Sequence, residues 1–193
     1  MTKYTPYILF FLLFFCSGCA EKKYNGHYKI GPAYKKNGDI YVPTNKIQYI
    51  KTGLASWYGS KGGFHGKKTA NGDKYNKHML TAAHPTLPLP SMVKVTNLKN
   101  NKSLIVMVND RGPFKKNRIL DVSEKAADLL GFKKDGITNV NVEYLSEETK
   151  DLLDKLMLNP KHGSKAKGKI KNHHCSIDCY IKMVNKKQKI HGI

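Results

Sequence analysis

Residues 103–114, SLIVMVNDRGPF, set a run of apolar, mostly β-branched residues directly against an acid, an arginine, a glycine and a proline. Leu104 to Val108 has the length of a strand, and Pro113 lacks the amide hydrogen a central strand needs. The stretch therefore reads as a strand ending in a tight turn, with Asp110 at the strand end. Taken alone, Asp and Gly are simply what turns contain, since Asp bonds nearby backbone and Gly tolerates positive φ. Arg111 reads equally well as a solvated strand-end charge.

Working outward, similar short runs recur from Gly53 onward: GLASWYG, MLTAA, SMVKVTNL, the opening SLIVMVN, RILDVS and ITNVNVEYL, nearly all separated by turn residues. One helix interrupts them, with Ser123 as N-cap, Ala126, Ala127, Leu129 and Leu130 as its apolar face, and Gly131 at its end. Six short strands with one short helix predict a mainly β chain whose core is a small closed barrel or sandwich over residues 51–145. A further amphipathic helix is expected over 146–160, where acids in SEETKDLLDKLMLNP fill the first turn and Leu152, Leu153, Leu156 and Met157 share one side.

The flanks differ from this core. Residues 1–19 carry Lys3, an apolar run from Tyr7 to Phe15 and then CSGC, which fits a signal peptide and is too short to span a bilayer. CSGC resembles a bacterial lipobox with Cys19 as the lipidated residue, although Cys16 stands where Leu is usual. That resemblance implies a palmitate-bearing lipoprotein attached to the membrane, and Ala20 implies the outer membrane, facing the periplasm. Residues 20–50 read as a tether, with a hairpin around Asn37, Gly38 and Asp39. Residues 161–193 are rich in lysine with one acid, Asp178, and are expected to be a basic, disordered tail. His173, His174, Cys175 and Cys179 match no standard zinc spacing; a disulfide or a metal site is the alternative to disorder there. No metal and no cofactor are expected, and the chain is expected to be a monomer.

The formal charge is +20, from 34 basic and 14 acidic residues. Such a balance suits nucleic acid, anionic lipid or an acidic polymer, and export argues against nucleic acid. The other polar concentration is residues 64–90, FHGKKTANGDKYNKHMLTAAHPTLPLP, which holds His65, Lys68, Asp73, His78 and His84 in a long stretch of weak periodicity. A long irregular segment inside a compact domain is often functional.

Taken together, ASWYG, FHG, TANG, TAAH, VTNL and NDRGPF, dense over residues 53–132, resemble the rare lipoprotein A (RlpA) family, with YKIGPAYKKNGDIYVP like that family's lead-in. The resemblance implies a double-psi β-barrel and an endolytic peptidoglycan lytic transglycosylase of the cell envelope. It would cleave glycan strands lacking stem peptides to anhydro ends during wall remodelling or daughter-cell separation. It also implies that Asp110, Asp73 and His84 are the catalytic set. The chain departs from the family with Asp73 in place of Glu, LPLPS in place of a Gly-Thr pair, Met107 where Arg is common, and no room for a C-terminal peptidoglycan-binding repeat domain.

The chemistry suits those residues. Glycosidic cleavage needs an acid to protonate the leaving oxygen and negative charge near an oxocarbenium-like transition state. In a lytic transglycosylase the sugar's primary hydroxyl attacks, so one carboxyl can donate and then accept the proton. Asp110 is the candidate acid/base, Asp73 a charge partner and His84 an orienting group. Trp57 and Tyr58 are candidate sugar-stacking walls, with core packing as the alternative. His65, Asn71 and Arg111 complete the expected substrate-binding set, Arg111 by fixing Asp110 or its loop. The competing reading is a non-catalytic, expansin-like glycan-binding or wall-loosening barrel.

Overall fold

A computed structural model describes residues 24–45, 48–59, 63–158 and 176–191. The stretch expected to be a signal peptide, with Cys19, and His173, His174 and Cys175 lie outside the described residues.

The first element is the hairpin β1 (Tyr34–Lys36) and β2 (Asp39–Tyr41), turned by Asn37 and Gly38 at φ 52° and 90°. Two successive positive φ values define the turn that matches strand twist in two-residue hairpins. All six expected runs then form strands: β3 (Ile50–Tyr58), β4 (Thr81–Ala83), β5 (Ser91–Asn97), β6 (Ser103–Asp110), β7 (Arg118–Ser123) and β8 (Ile137–Tyr144). They close into a barrel in the order β3-β7-β4-β6-β5-β8. Pairing is parallel for β3–β7 and β4–β6 and antiparallel elsewhere, so the barrel is mixed. Its interior is filled by Ala55, Ala82, Val93, Val95, Val106, Val108, Leu120, Val122, Val140 and Val142, all fully buried. Closure leaves few free strand edges, which a sheet this small would otherwise expose.

Helix α1 (Glu124–Leu129) starts where Ser123 predicts, the Ser123 hydroxyl accepting from the Ala126 amide at 3.2 Å. Ala126, Ala127 and Leu130 are buried; Leu129, expected on the apolar face, points outward. Helix α2 (Ser146–Lys155) buries Leu152 and Leu153 against the barrel.

Two expectations are corrected. The tail expected to be disordered contains α3 (Ile177–His191), which packs Ile177, Tyr180, Ile181 and Val184 into the core cluster, and Cys179 is disulfide-bonded. Lysines occupy the solvent side and leave one apolar face intact, so bulk composition misleads. The expected tether is also packed: Tyr24 is buried, Lys29 bridges Leu89, and the Tyr34 hydroxyl donates to the Pro85 carbonyl at 2.7 Å.

Candidate active site

Asp110 closes β6, and a register slip puts it where it is. Ala82 pairs with Val108 but Ala83 pairs with Asp110, so one residue is bulged between them. Side chains alternate faces along a strand, so without the slip Asn109 would stand beside Ala83 and Asp110 would face the other way. The Asp110 carboxyl accepts from the amides of Ala70 and Arg111, both at 2.8 Å and both at Oδ1. Oδ2 is thereby the oxygen left to meet a ligand. Burial pushes the carboxyl above its ordinary range, outweighing those two bonds and the Arg111 charge.

Asp110 lines a cleft of about 440 Å³ with Tyr58, Phe64, Ala83, Arg111, Phe114, Lys115, Arg118, Asp121 and Asn37 of the hairpin turn. Aromatic groups form its edges. Tyr58 stacks on Tyr75 at 4.4 Å and meets Phe64 edge-on at 6.1 Å. Phe114 meets Tyr34 and Tyr41 edge-on, and the Asn37 amide donates to the Phe114 carbonyl at 3.0 Å. Gly59, at φ 109°, is required on both counts: a Cβ there would lie 2.5 Å from the Tyr75 hydroxyl.

The other expected residues surround Asp110 without sharing the cleft. The TANG turn is docked on Asp110 through the Ala70 amide, and Asn71, fully buried, holds that turn. Asn71 Oδ1 accepts from the Thr69 hydroxyl at 2.9 Å, and its amide donates to the Tyr24 hydroxyl at 2.7 Å. Asp73 closes the same turn, its carbonyl accepting from Thr69, and its charge is felt at Tyr24, where burial is the larger influence. His84 is a buried post: Nδ1 accepts from the amides of Thr86 and Leu87, so Nε2 carries the hydrogen donated to Tyr49 Oη at 2.9 Å. Burial, with the Arg111 and Lys51 charges, pulls its pKa down to about 3, so the ring is neutral. Its link to Asp110 is through the backbone, His84 N–H to Asp110 C=O at 3.0 Å.

Of the two roles expected for Arg111, fixing Asp110 or its loop, the bonds its side chain makes are to the loop. The guanidinium donates to the carbonyls of Leu87 at 2.6 Å, Ile30 at 2.7 Å and His84 at 3.2 Å, clamping the loop. Trp57 Nε1 donates to the Lys133 carbonyl at 3.1 Å, which ties it to the turn after α1. His65 Nδ1 accepts from the Lys77 amide at 3.4 Å at the exposed surface.

Sequence reasoning missed Asp121. It pairs with Ala83 from the β7 side, its Oδ2 lies 3.1 Å from Arg118, and burial raises its pKa to about 6 against that Arg118 charge. A single acid within RILDVS looks like an ordinary outward strand residue; only the long-range pairing gives it a place.

Residues 50–142 match a family model described as lytic transglycolase. Over 95% of its length the chain is 50% identical to a Rickettsia felis protein named endolytic peptidoglycan transglycosylase RlpA, covering 95% of that protein. It is 56% identical to the Rickettsia typhi protein of that name over 86% of this chain, spanning 55% of that relative. The Neisseria meningitidis serogroup A protein of the same name is 52% identical over 62% of this chain and 49% of its own length. With a relative matched almost end to end and the barrel's six strands in place, the chain belongs to the RlpA family of double-psi β-barrel proteins.

Proposed function

We propose that this chain is an endolytic lytic transglycosylase that cuts peptidoglycan glycan strands, preferring strands without stem peptides, and leaves anhydro ends. The observation that carries this reading is Asp110: a carboxyl raised by burial, held at Oδ1 by two amides and set in an aromatic-edged cleft. Family membership supplies the substrate class.

In the reaction, protonated Asp110 gives its proton to the glycosidic oxygen as the C1–O bond breaks, and positive charge develops at C1. The same sugar's primary hydroxyl forms the new C1–O6 bond and releases its proton to the Asp110 carboxylate, so the acid is regenerated without a water nucleophile. The TANG turn with Asn71 and Asp73, and the neutral His84 post, act by holding the Asp110 loop. Tyr58, Phe64 and Phe114 offer apolar faces to sugar rings. Such an enzyme works in the cell envelope. The lipobox-like CSGC supports export and anchoring through Cys19 at the outer membrane.

Incubation with purified, peptide-free glycan strands followed by mass analysis tests this. Anhydro-ended fragments are expected; reducing ends would mean hydrolysis, and strands bound but uncut would place the chain with non-catalytic barrels. Asp110→Asn is expected to lower turnover about 10²-fold or more while glycan binding and melting temperature hold. Undiminished cleavage by a folded Asp110→Asn protein would remove Asp110 from the mechanism.

A further inference from the structure

Four adjacent strands bring four side chains to one face. Ala83 of β4 pairs with Asp110 on one side and with Asp121 on the other, and Asp121 of β7 pairs with Ser56 of β3. Tyr58 is two residues beyond Ser56 and so shares its face. Strands lie about 4.8 Å apart, which puts the backbones of the two aspartates about 9–10 Å apart. Ala83 between them presents only a methyl group. Asp110, Asp121, Tyr58 and Ala83 all line the same cleft.

Three polar atoms there are unspent. Tyr58 Oη, Asp121 Oδ1 and Arg118 Nε are all buried, and none has a hydrogen-bond partner among the described residues. Asp121 is held only at Oδ2, by Arg118, as Asp110 is held at Oδ1. Burial is the main force keeping the Tyr58 hydroxyl protonated, and the charges of Asp110, Tyr75 and Asp121 add to it. The group is therefore a hydrogen donor within electrostatic reach of two carboxylates.

We propose that Asp121 is a positioning residue of this site, coupled to Asp110 through the Tyr58 hydroxyl, which is donated to whichever of the two carboxylates is ionised. While Asp110 holds its proton, Tyr58 serves Asp121. Once Asp110 has given that proton to the leaving oxygen, Tyr58 turns to the new carboxylate, and Asp121 keeps Arg118. The two aspartates then titrate as a unit. The charged and titratable groups that share the cleft with Asp121 are Arg118 on its own strand, Tyr58 from β3, Asp110 and Arg111 from the end of β6, and Lys115 from the loop beyond.

The proposal rests on the transglycosylase reading for its purpose, but its test does not need turnover. The Asp110 carboxyl is titrated by carbon-13 NMR in the full chain, in Asp121→Asn and in Tyr58→Phe. Removing Asp121 takes away a like charge and a competitor for the hydroxyl, so the Asp110 pKa falls. Removing the hydroxyl takes away a donor to the carboxylate, so it rises. Shifts of opposite sign, each about half a unit or more, are expected. Purely structural roles would not split in sign. If Asp121→Asn does not keep the wild-type amide spectrum, Asp121→Ser removes the same charge and serves in its place. Shifts of the same sign, or none, in folded variants overturn the coupling. A wild type that cuts no glycan while the opposed shifts appear would sink the transglycosylase reading and leave the coupling standing.

Discussion

His84 and Asp121 are both buried, and burial acts on their proton affinity in opposite ways. His84 falls from 6.5 to about 3, so the fold holds it neutral while the unfolded chain takes up a proton below about 6.5. Stability is lost through that group as pH drops from 6.5 towards 3. Asp121 rises from 3.8 to about 6, so the fold keeps a proton that the unfolded chain has already released. Stability is lost through this group as pH climbs from 3.8 to 6. Each slope is at most about 1.4 kcal/mol per pH unit, and between pH 4 and 6 they oppose each other. In thermal melts across that range, His84→Gln is expected to grow more stable towards pH 4, and Asp121→Asn more stable towards pH 6. Parallel trends in the two variants would show that one of the two assignments is wrong. The sequence pointed to His84 through the resemblance that TAAH helps to carry, and in the structure its ring accepts from the Thr86 and Leu87 amides. It passed over Asp121 because nothing local marks that residue; its neighbour Ala83 is 38 positions away.

Among the elements, those with a local signal were legible and those defined by partners were not. Helix α1 carries its own N-cap in Ser123, and the six strands carry apolar runs with turn residues between them. Helix α3 carries a signal too, since Ile177, Tyr180, Ile181 and Val184 recur at helical spacing, but the surrounding lysines conceal it. Its docking explains its value. Strand β4 spans only Thr81–Ala83 and pairs with β6 from Met107 onward, leaving the backbone of Ile105 without a strand partner on that side. Asn185 fills the gap, its Oδ1 accepting from Ile105 N at 2.7 Å and its amide donating to Ile105 O at 2.9 Å. Asn185→Ala leaves both backbone groups unserved and is expected to cost about 1–3 kcal/mol. Hydrogen exchange at the Ile105 amide should accelerate more than at Val106 or Val108, which remain inside the barrel. Uniform acceleration along β6 would mean that Asn185 acts on global stability alone.

At the scale of the molecule, the barrel is a frame and the site is finished by chain outside it. The segment 24–45 supplies Ile30 as one anchor of the Arg111 clamp, Tyr24 as the partner of Asn71, and the hairpin that carries Asn37 to the cleft. Its sequence is irregular because it makes isolated contacts along its path instead of burying one repeated face, so periodicity could not reveal it. The C-terminal helix is placed differently, against β6 near Ile105 and away from the Asp110 end of that strand. The two appendages should therefore be separable. Removal of 177–193 is expected to lower the melting temperature and leave glycan cleavage per folded molecule unchanged. Removal of 24–45 is expected to leave the barrel folded, because among the buried core residues only Tyr24 comes from that segment. Turnover should then fall by about tenfold or more, since a loosened Asp110 loop loses the positioning on which proton transfer depends. Circular dichroism melts and glycan-strand turnover on both truncations decide the matter. Wild-type cleavage by the chain lacking 24–45 would confine the active site to the barrel itself.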